Sequence, residues 1–227
     1  MGDATTGRVE GHPSTRDLVE TLRRHVASAG TLDRLKTLYR PYICPFDDLL
    51  RLLAPGATVF DIGCGNGAFL LLTAVFRQPS ALGGVEVSPQ LIANARNLLR
   101  GPCAAIPLDL RVYDGVALPA MLGDYQYVFL TDVLHHVPPS GQEALLERIR
   151  EGMAPGATLV LKDIDAANRV LCGCNKLHDL LLSGEIGHEL EAAAAVRSLA
   201  RLGFRIDSVS KRRMLWYPHY TVVASKA

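Results

Sequence analysis

Residues 59–71 read VFDIGCGNGAFLL, and the order of apolar and glycine positions in this stretch decides the fold. Val59, Phe60 and Ile62 make a short apolar run that stops at Gly63. Gly65 and Gly67 follow, and the chain is apolar again from Ala68 to Leu72. This is the pattern of a buried strand, a glycine turn and the start of a helix. Glycines let the backbone adopt left-handed angles and approach a ligand closely, while a helix start offers free N–H groups to an anion. A nucleotide-like ligand suits such a turn.

Outward from the turn, the chain alternates. Strands are predicted at 58–62, 82–87, 108–113, 126–131 and 157–162, and helices at 66–76, 89–99, 140–152 and 190–202. Strands that alternate with helices form a parallel sheet wound on both faces, an α/β fold. The tail departs from this rule: RIDSVSKRRM (205–214) and YTVVASK (220–226), joined by LWYPH, read as an antiparallel pair. Ahead of the core, a helix starts near Ser14 with Asp17 in its first turn and Leu18, Leu22 and Val26 on one face. Tyr39-Arg40-Pro41-Tyr42 is expected to interrupt the chain, and Phe46 to Leu53 to form a second short helix stopped by Pro55-Gly56. The division expected is a disordered start (1–14), a helical cap (15–54) and one cofactor-binding domain (55–227) carrying an insertion at about 166–189.

The composition sets limits on partners. A chain of 227 residues that is 48% hydrophobic can build the core of one α/β domain. A net charge of +1 exerts no general pull on nucleic acid or on an anionic membrane, although a local patch is invisible in such a sum, and the basic triplet Lys211-Arg212-Arg213 reads as a solvated face. The longest nearly unbroken apolar run, Ala68 to Phe76, is far shorter than the roughly 18 residues of a membrane span. The polar start MGDATTGRVEG lacks the apolar region of a signal peptide, so a cytosolic protein is expected. Five cysteines form no paired framework, and Cys172-Gly173-Cys174 lacks the spacing of a zinc site. No metal is expected.

Gly63, Gly65 and Ala68 also satisfy the loose dinucleotide pattern, with Glu86 lying 23 residues beyond Gly63, near the place of a ribose-binding acid. Two details favour a different ligand. Asp61 puts a carboxylate at the strand end, where it would repel a pyrophosphate but attract an ammonium or sulfonium. Gly67 adds a third alternate glycine that the dinucleotide pattern does not require.

With these residues the sequence resembles the class I S-adenosylmethionine-dependent methyltransferases, in order through residues 59–225. The resemblance implies a Rossmann-like, doubly wound sheet of seven strands, mostly parallel with an antiparallel C-terminal hairpin. It implies that Asp61, Gly63, Gly65 and Gly67, with Cys64 and Asn66 between them, cradle the methionine part of S-adenosyl-L-methionine. Glu86, followed by Val87, matches the acid that takes both ribose hydroxyls. Asp114, followed by Gly115, matches the acid that receives the adenine amino group, although a turn role before Gly115 is its alternative. VFLTDVLHHVPP (128–139) resembles the fourth-strand segment, with Thr131 and Asp132 bordering the cofactor. Tyr39 and Arg40 are expected to close a lid, since relatives often cover the site with N-terminal helices.

Methyl transfer is an in-line displacement that needs alignment of the acceptor and, for some acceptors, removal of a proton. Histidine suits proton removal because its pKa lies near neutrality. His135 is expected to face the pocket as base, with His136 as its structural neighbour or an acceptor contact. The 166–189 segment sits where acceptor pockets are built, at the carboxyl edge of the sheet. His178 is therefore a second catalytic candidate, and Asp163, Asp165, Glu185 and His188 are candidate acceptor contacts. Tyr217 and His219 are expected either to close the sheet's end or to reach the acceptor.

An Asn/Asp-Pro-Pro-Tyr motif for base or amide nitrogens is absent, as are a catalytic Cys beside Pro and a paired-glutamate loop. The acceptor expected is a small or lipid-like molecule. Two alternatives stand beside this enzyme: an NAD(P)-dependent oxidoreductase, and a non-catalytic cofactor-binding partner subunit.

Overall fold

The computed structural model describes residues 13–26, 31–167 and 187–227. Strands β1 (Thr58–Ile62), β2 (Ala81–Glu86), β3 (Leu108–Val112), β4 (Tyr127–Thr131), β5 (Thr158–Ile164), β6 (Phe204–Met214) and β7 (Tyr217–Lys226) form one sheet. Its order is β3-β2-β1-β4-β5-β7-β6. The first five strands are mutually parallel, while β7 runs antiparallel to both β5 and β6. The direction of winding reverses between β1 and β4, so the loops leaving these neighbours diverge and open a crevice at the carboxyl edge.

Both faces of the sheet are covered, which explains the nearly continuous apolar strands. Val59, Phe129 and Val160 point to the core shared with α1 (Thr15–His25), α3 (Phe46–Arg51), α4 (Ala68–Arg77) and α5 (Pro89–Leu99). Their alternates Phe60, Val128, Leu130, Leu159 and Leu161 point to the core shared with α6 (Pro139–Gly152) and α7 (Ala192–Arg201). No helix among the described residues is long and apolar enough to cross a membrane.

Helix α1 begins as expected. Ser14 caps it, its hydroxyl accepting from Asp17 N while Asp17 Oδ2 accepts from Ser14 N at 2.8 Å. The next stretch corrects the sequence reading: α2 spans Thr31–Ile43 and runs through Pro41. A proline this close to a helix C-terminus removes one N–H and little else, and Cys44 N still donates to Arg40 O at 2.8 Å. The second correction concerns LWYPH. The hairpin turn is only Leu215-Trp216, so Tyr217, Pro218 and His219 belong to β7.

Candidate functional site

The glycine turn folds against β2, where Val85 O accepts from Gly63 N at 2.8 Å and from Cys64 N at 3.0 Å. Gly63, Gly65 and Gly67 all have left-handed φ angles of 74°, 55° and 82°, but they serve different ends. A Cβ at Gly63 would collide with Val133 Cγ2, and one at Gly67 would lie 3.1 Å from the Ala95 Cβ. A Cβ at Gly65 would meet nothing within 4 Å. Two glycines thus serve packing, and the middle one faces open space.

Glu86 braces this turn from the end of β2. Its Oε2 accepts from Gly65 N and its Oε1 from Ser88 N, both at 3.1 Å. Asn66 Nδ2 donates to Thr37 Oγ1 at 2.5 Å, tying the turn to α2. Cys64 is buried, and burial holds its thiol well above the usual range, so it is inert.

Asp61 is the anomaly of the site. It is buried at the end of β1, yet its Oδ1 has no hydrogen-bond partner among the described residues. Burial pushes its pKa up to about 8; Arg40 opposes the rise and Glu86 adds to it. A buried carboxylate oxygen left without a donor carries a full desolvation penalty, which a cationic ligand would relieve.

The crevice over these residues is a cleft of about 730 Å³, within the usual range for small-molecule sites. Asp61, Glu86, Asn66, Thr131 and Asp132 line it, together with Gly63, Cys64, Gly65, Val87 and Gly115. Sequence reasoning missed Lys36 and Thr37, which join Arg40 on one wall, and the rings of Phe46 and Phe69 below them. It also missed Tyr113 and Leu145 at the far end. The signal for the α2 wall was the i, i+4 spacing of Lys36 and Arg40, hidden by reading a break at Pro41. Tyr39 points elsewhere, its ring 6.5 Å from that of Tyr42.

Asp114 is exposed, and its Oδ1 accepts from Val116 N at 2.8 Å and Ala117 N at 2.7 Å. These backbone donors hold its carboxyl below the usual range. The structure thus gives Asp114 the turn geometry that the sequence left as its alternative, and the cleft wall passes through its neighbours Tyr113 and Gly115.

Across the cleft, β4 is followed at once by Asp132, whose φ of 55° is unusual for a non-glycine residue. Asp132 is clamped: Oδ1 pairs with the fully buried Lys162 of β5, and Oδ2 lies 3.3 Å from Arg40 Nη2. Burial acts to raise the Asp132 pKa, but Lys162 and Arg40 overcome it and hold the carboxyl ionised. Thr131 Oγ1, on the cleft wall beside it, is buried with no hydrogen-bond partner among the described residues.

The two histidines exchange the places expected of them. The 3-10 turn Leu134–His136 turns Leu134 and His135 inward and leaves His136 on the cleft wall. His135 Nδ1 sits 2.5 Å from Asp163 Oδ1, and its backbone N donates to Asp163 Oδ2 at 3.1 Å. Asp163 therefore fixes a histidine. Asp165 accepts from Ala192 N at the start of α7 and pairs with Lys211 at 2.6 Å, which is a capping role. His188 is exposed, and its backbone N donates to His135 O at 2.7 Å.

Tyr217 and His219 are buried with parallel rings 6.1 Å apart, away from the cleft wall. Burial drives the His219 pKa down to about 3, with Lys162 adding to the fall. His178, Glu185, Cys172 and Cys174 lie outside the described residues.

Residues 36–209 match the family described as Methyltransferase domain. The carboxy-S-adenosyl-L-methionine synthase of Actinobacillus succinogenes is 29% identical over 171 residues, covering 72% of this chain and 68% of that protein. The synthase of the same name from Chromohalobacter salexigens is 33% identical over 115 residues, covering 50% of this chain and 42% of that protein. The chain thus spans about two thirds of the first relative and under half of the second. Among solved structures, the pyocyanin biosynthetic protein PhzM is similar at 19% identity with a TM-score of 0.71, over 92% of this chain and 62% of that one. Magnesium protoporphyrin IX methyltransferase from Synechocystis, solved with bound SAH, gives 20% identity and a TM-score of 0.69 over 92% of this chain and 94% of that one. At such identities these structures speak to the fold, which they share.

Proposed function

The chain belongs to the methyltransferase-domain family, and we propose that its cleft binds S-adenosylmethionine for methyl transfer to a small or lipid-like acceptor. The observation that carries this reading is the unpartnered Oδ1 of Asp61 beside the glycine turn. That atom fits the ammonium of the methionine part, and Gly65 leaves the backbone bare for it. Arg40 and Lys36 on α2 suit the carboxylate. Glu86, already held by two N–H groups, keeps lone pairs for the ribose hydroxyls. Val87, Tyr113 and Leu145 give the base an apolar slot.

Bound there, the cofactor supplies an electrophilic methyl group on a sulfonium. The chain's own work is alignment and charge control. Asp132, anchored by Lys162 and Arg40, fixes the end of β4 and the turn that follows it. His136 faces the cleft and is the histidine placed to take a proton from an acceptor, while Asp163 and His135 hold the turn beneath it. We place the protein in the cytosol, with residues 15–54 as a cap and 55–227 as the catalytic domain.

The names of the curated relatives favour a second reading, in which the cofactor is itself the substrate: its sulfonium methyl carbon loses a proton and takes up carbon dioxide given up by a carboxylic-acid co-substrate. Mass spectrometry separates the two. A panel of phenolic, carboxylic and lipid-like acceptors incubated with S-adenosylmethionine, its carboxylic acids including ones that decarboxylate readily and so can serve as carboxyl donors, should yield an acceptor heavier by one methyl. A nucleoside product heavier by a carboxyl group, with every acceptor unchanged, would replace the first reading by the second.

A further inference from the structure

The β6–β7 hairpin ends in a feature that the cleft does not use. Met214 pairs with Tyr217, so the connection is the two-residue turn Leu215-Trp216. Leu215 has a φ of 53°, a left-handed angle for which such turns favour glycine. The chain puts leucine there and tryptophan next, 54% and 39% exposed. The Trp216 ring lies 5.6 Å from that of the buried Tyr217, while the Leu215 side chain is left mostly to solvent. Two large apolar side chains at a strained, protruding turn contradict the local rule, and such contradictions mark function.

Position and charge indicate what the turn meets. His219 of β7 pairs with Ile164 at the end of β5, so the turn lies at the carboxyl edge of the sheet, the edge that carries Asp61, Glu86 and Asp132. Tyr42, at the end of α2, is exposed as well, and the next residue, Ile43, acts on His219 through its backbone. The basic triplet 211–213 runs up to the turn. Lys211 pairs with Asp165, but the lysine side chain is 58% exposed against 6% for its partner, so the pair presents its cation outward. Arg213 is exposed and has no acidic partner among the described residues.

We infer that the Leu215-Trp216 turn docks the protein on an anionic lipid surface, with the aromatic tip in the interfacial layer and Arg213 and Lys211 against lipid headgroups. Trp with nearby Lys and Arg is the chemistry of that boundary. Docking of this kind turns the carboxyl edge toward the bilayer. It stands whichever chemistry the cleft performs.

The chain has one tryptophan, so its fluorescence reports on the turn alone. The full chain is to be mixed with vesicles of phosphatidylcholine, or of phosphatidylcholine with phosphatidylglycerol. With the anionic vesicles it should co-sediment, shift its emission to the blue, and release as salt rises; neutral vesicles should bind at least tenfold more weakly. Leu215→Gly with Trp216→Ser installs the residues that such a turn prefers, so the melting temperature should hold while vesicle binding falls at least tenfold. Should that variant melt early, Arg213→Glu repeats the sedimentation and should weaken it severalfold.

Absence of sedimentation with anionic vesicles overturns the proposal, as does equal binding by the variants. So does a dimer in light scattering that the double variant dissolves while vesicles stay unbound, since the turn would then join two copies of the chain. Cofactor calorimetry on the double variant should match the wild type, which separates this proposal from the reading of the cleft.

Discussion

The two halves of the cleft are built differently. The β1–β2 half is made of backbone: three left-handed glycines, N–H groups held by Glu86, and one aspartate at a strand end. The β4–β5 half is made of side chains that reach across the sequence, Lys162 to Asp132 and Asp163 to His135. The first half encodes its geometry within one short stretch. The second needs the fold before its pairs exist, and its functional side chains cannot be told from its supports by type alone.

The sharpest way to break that comparison is to test the two histidines against each other. If His136 is the proton acceptor and His135 a support, His136→Ala should lower turnover about 10²–10⁴-fold with cofactor affinity unchanged. His135→Ala and Asp163→Asn should instead cost about 1–3 kcal/mol of stability, because buried hydrogen-bonding groups lose their partners. Their activity should follow the folded fraction in parallel thermal melts. Loss of turnover in His135→Ala with an intact melt would reverse the assignment.

Glu86→Ala should weaken the cofactor by at least about tenfold, since even one charge-assisted bond to a ribose hydroxyl is worth about 1.5–3 kcal/mol and the carboxylate also braces the turn. Calorimetry reads this directly. Unchanged affinity would detach Glu86 from the ligand. The glycines sharpen the same point. Gly65→Ala projects a methyl group into open cleft at a left-handed angle that costs about 1–2 kcal/mol, so it should keep the fold and lose cofactor affinity several-fold or more. Gly63→Ala meets Val133 and should show as a lowered melting temperature. If both variants gave the same profile, the division of labour within the turn would be wrong.

The smallest effect lies outside the cleft. Ser14→Ala removes the α1 cap and should cost about 1 kcal/mol in denaturant unfolding, with cofactor affinity unaltered. Altered affinity would mean that α1 governs the site through α2.

What the sequence disclosed follows the same division. The seven strands and the carboxyl-edge site were legible because apolar periodicity and glycine placement are local signals. Asp61 and Glu86 were legible because each ends a strand beside the turn. Asp114 was legible as a type of residue, yet its backbone partners Val116 and Ala117 give it a turn to hold. Of the α2 wall Arg40 was legible but Lys36 and Thr37 were not, since proline reads as a break and only packing shows that Pro41 sits near enough to the helix end to be accommodated. Tyr217 and His219 were legible as residues that close the sheet's end, but not as members of β7. A two-residue turn of Leu and Trp violates turn chemistry, so the sequence assigned the whole of LWYPH to the connection.

Asp61 also ties the account to pH. With its folded pKa raised to about 8 and an unfolded value near 3.9, the folded protein binds the extra proton between these limits. Stability of the unliganded protein should therefore fall as pH rises from about 4 to 8, and Asp61→Asn should flatten that slope. A cationic ligand would ionise Asp61, so binding below pH 8 should release a proton.

The most direct test is calorimetric titration of S-adenosylmethionine and of NADH into wild type and Asp61→Asn at pH 7, in two buffers of different ionisation enthalpy. The account predicts that the wild type binds S-adenosylmethionine with proton release and ignores NADH. The variant should stay folded, bind at least tenfold more weakly and release no proton. Equal affinity in the two proteins, or binding of NADH alone, would contradict it.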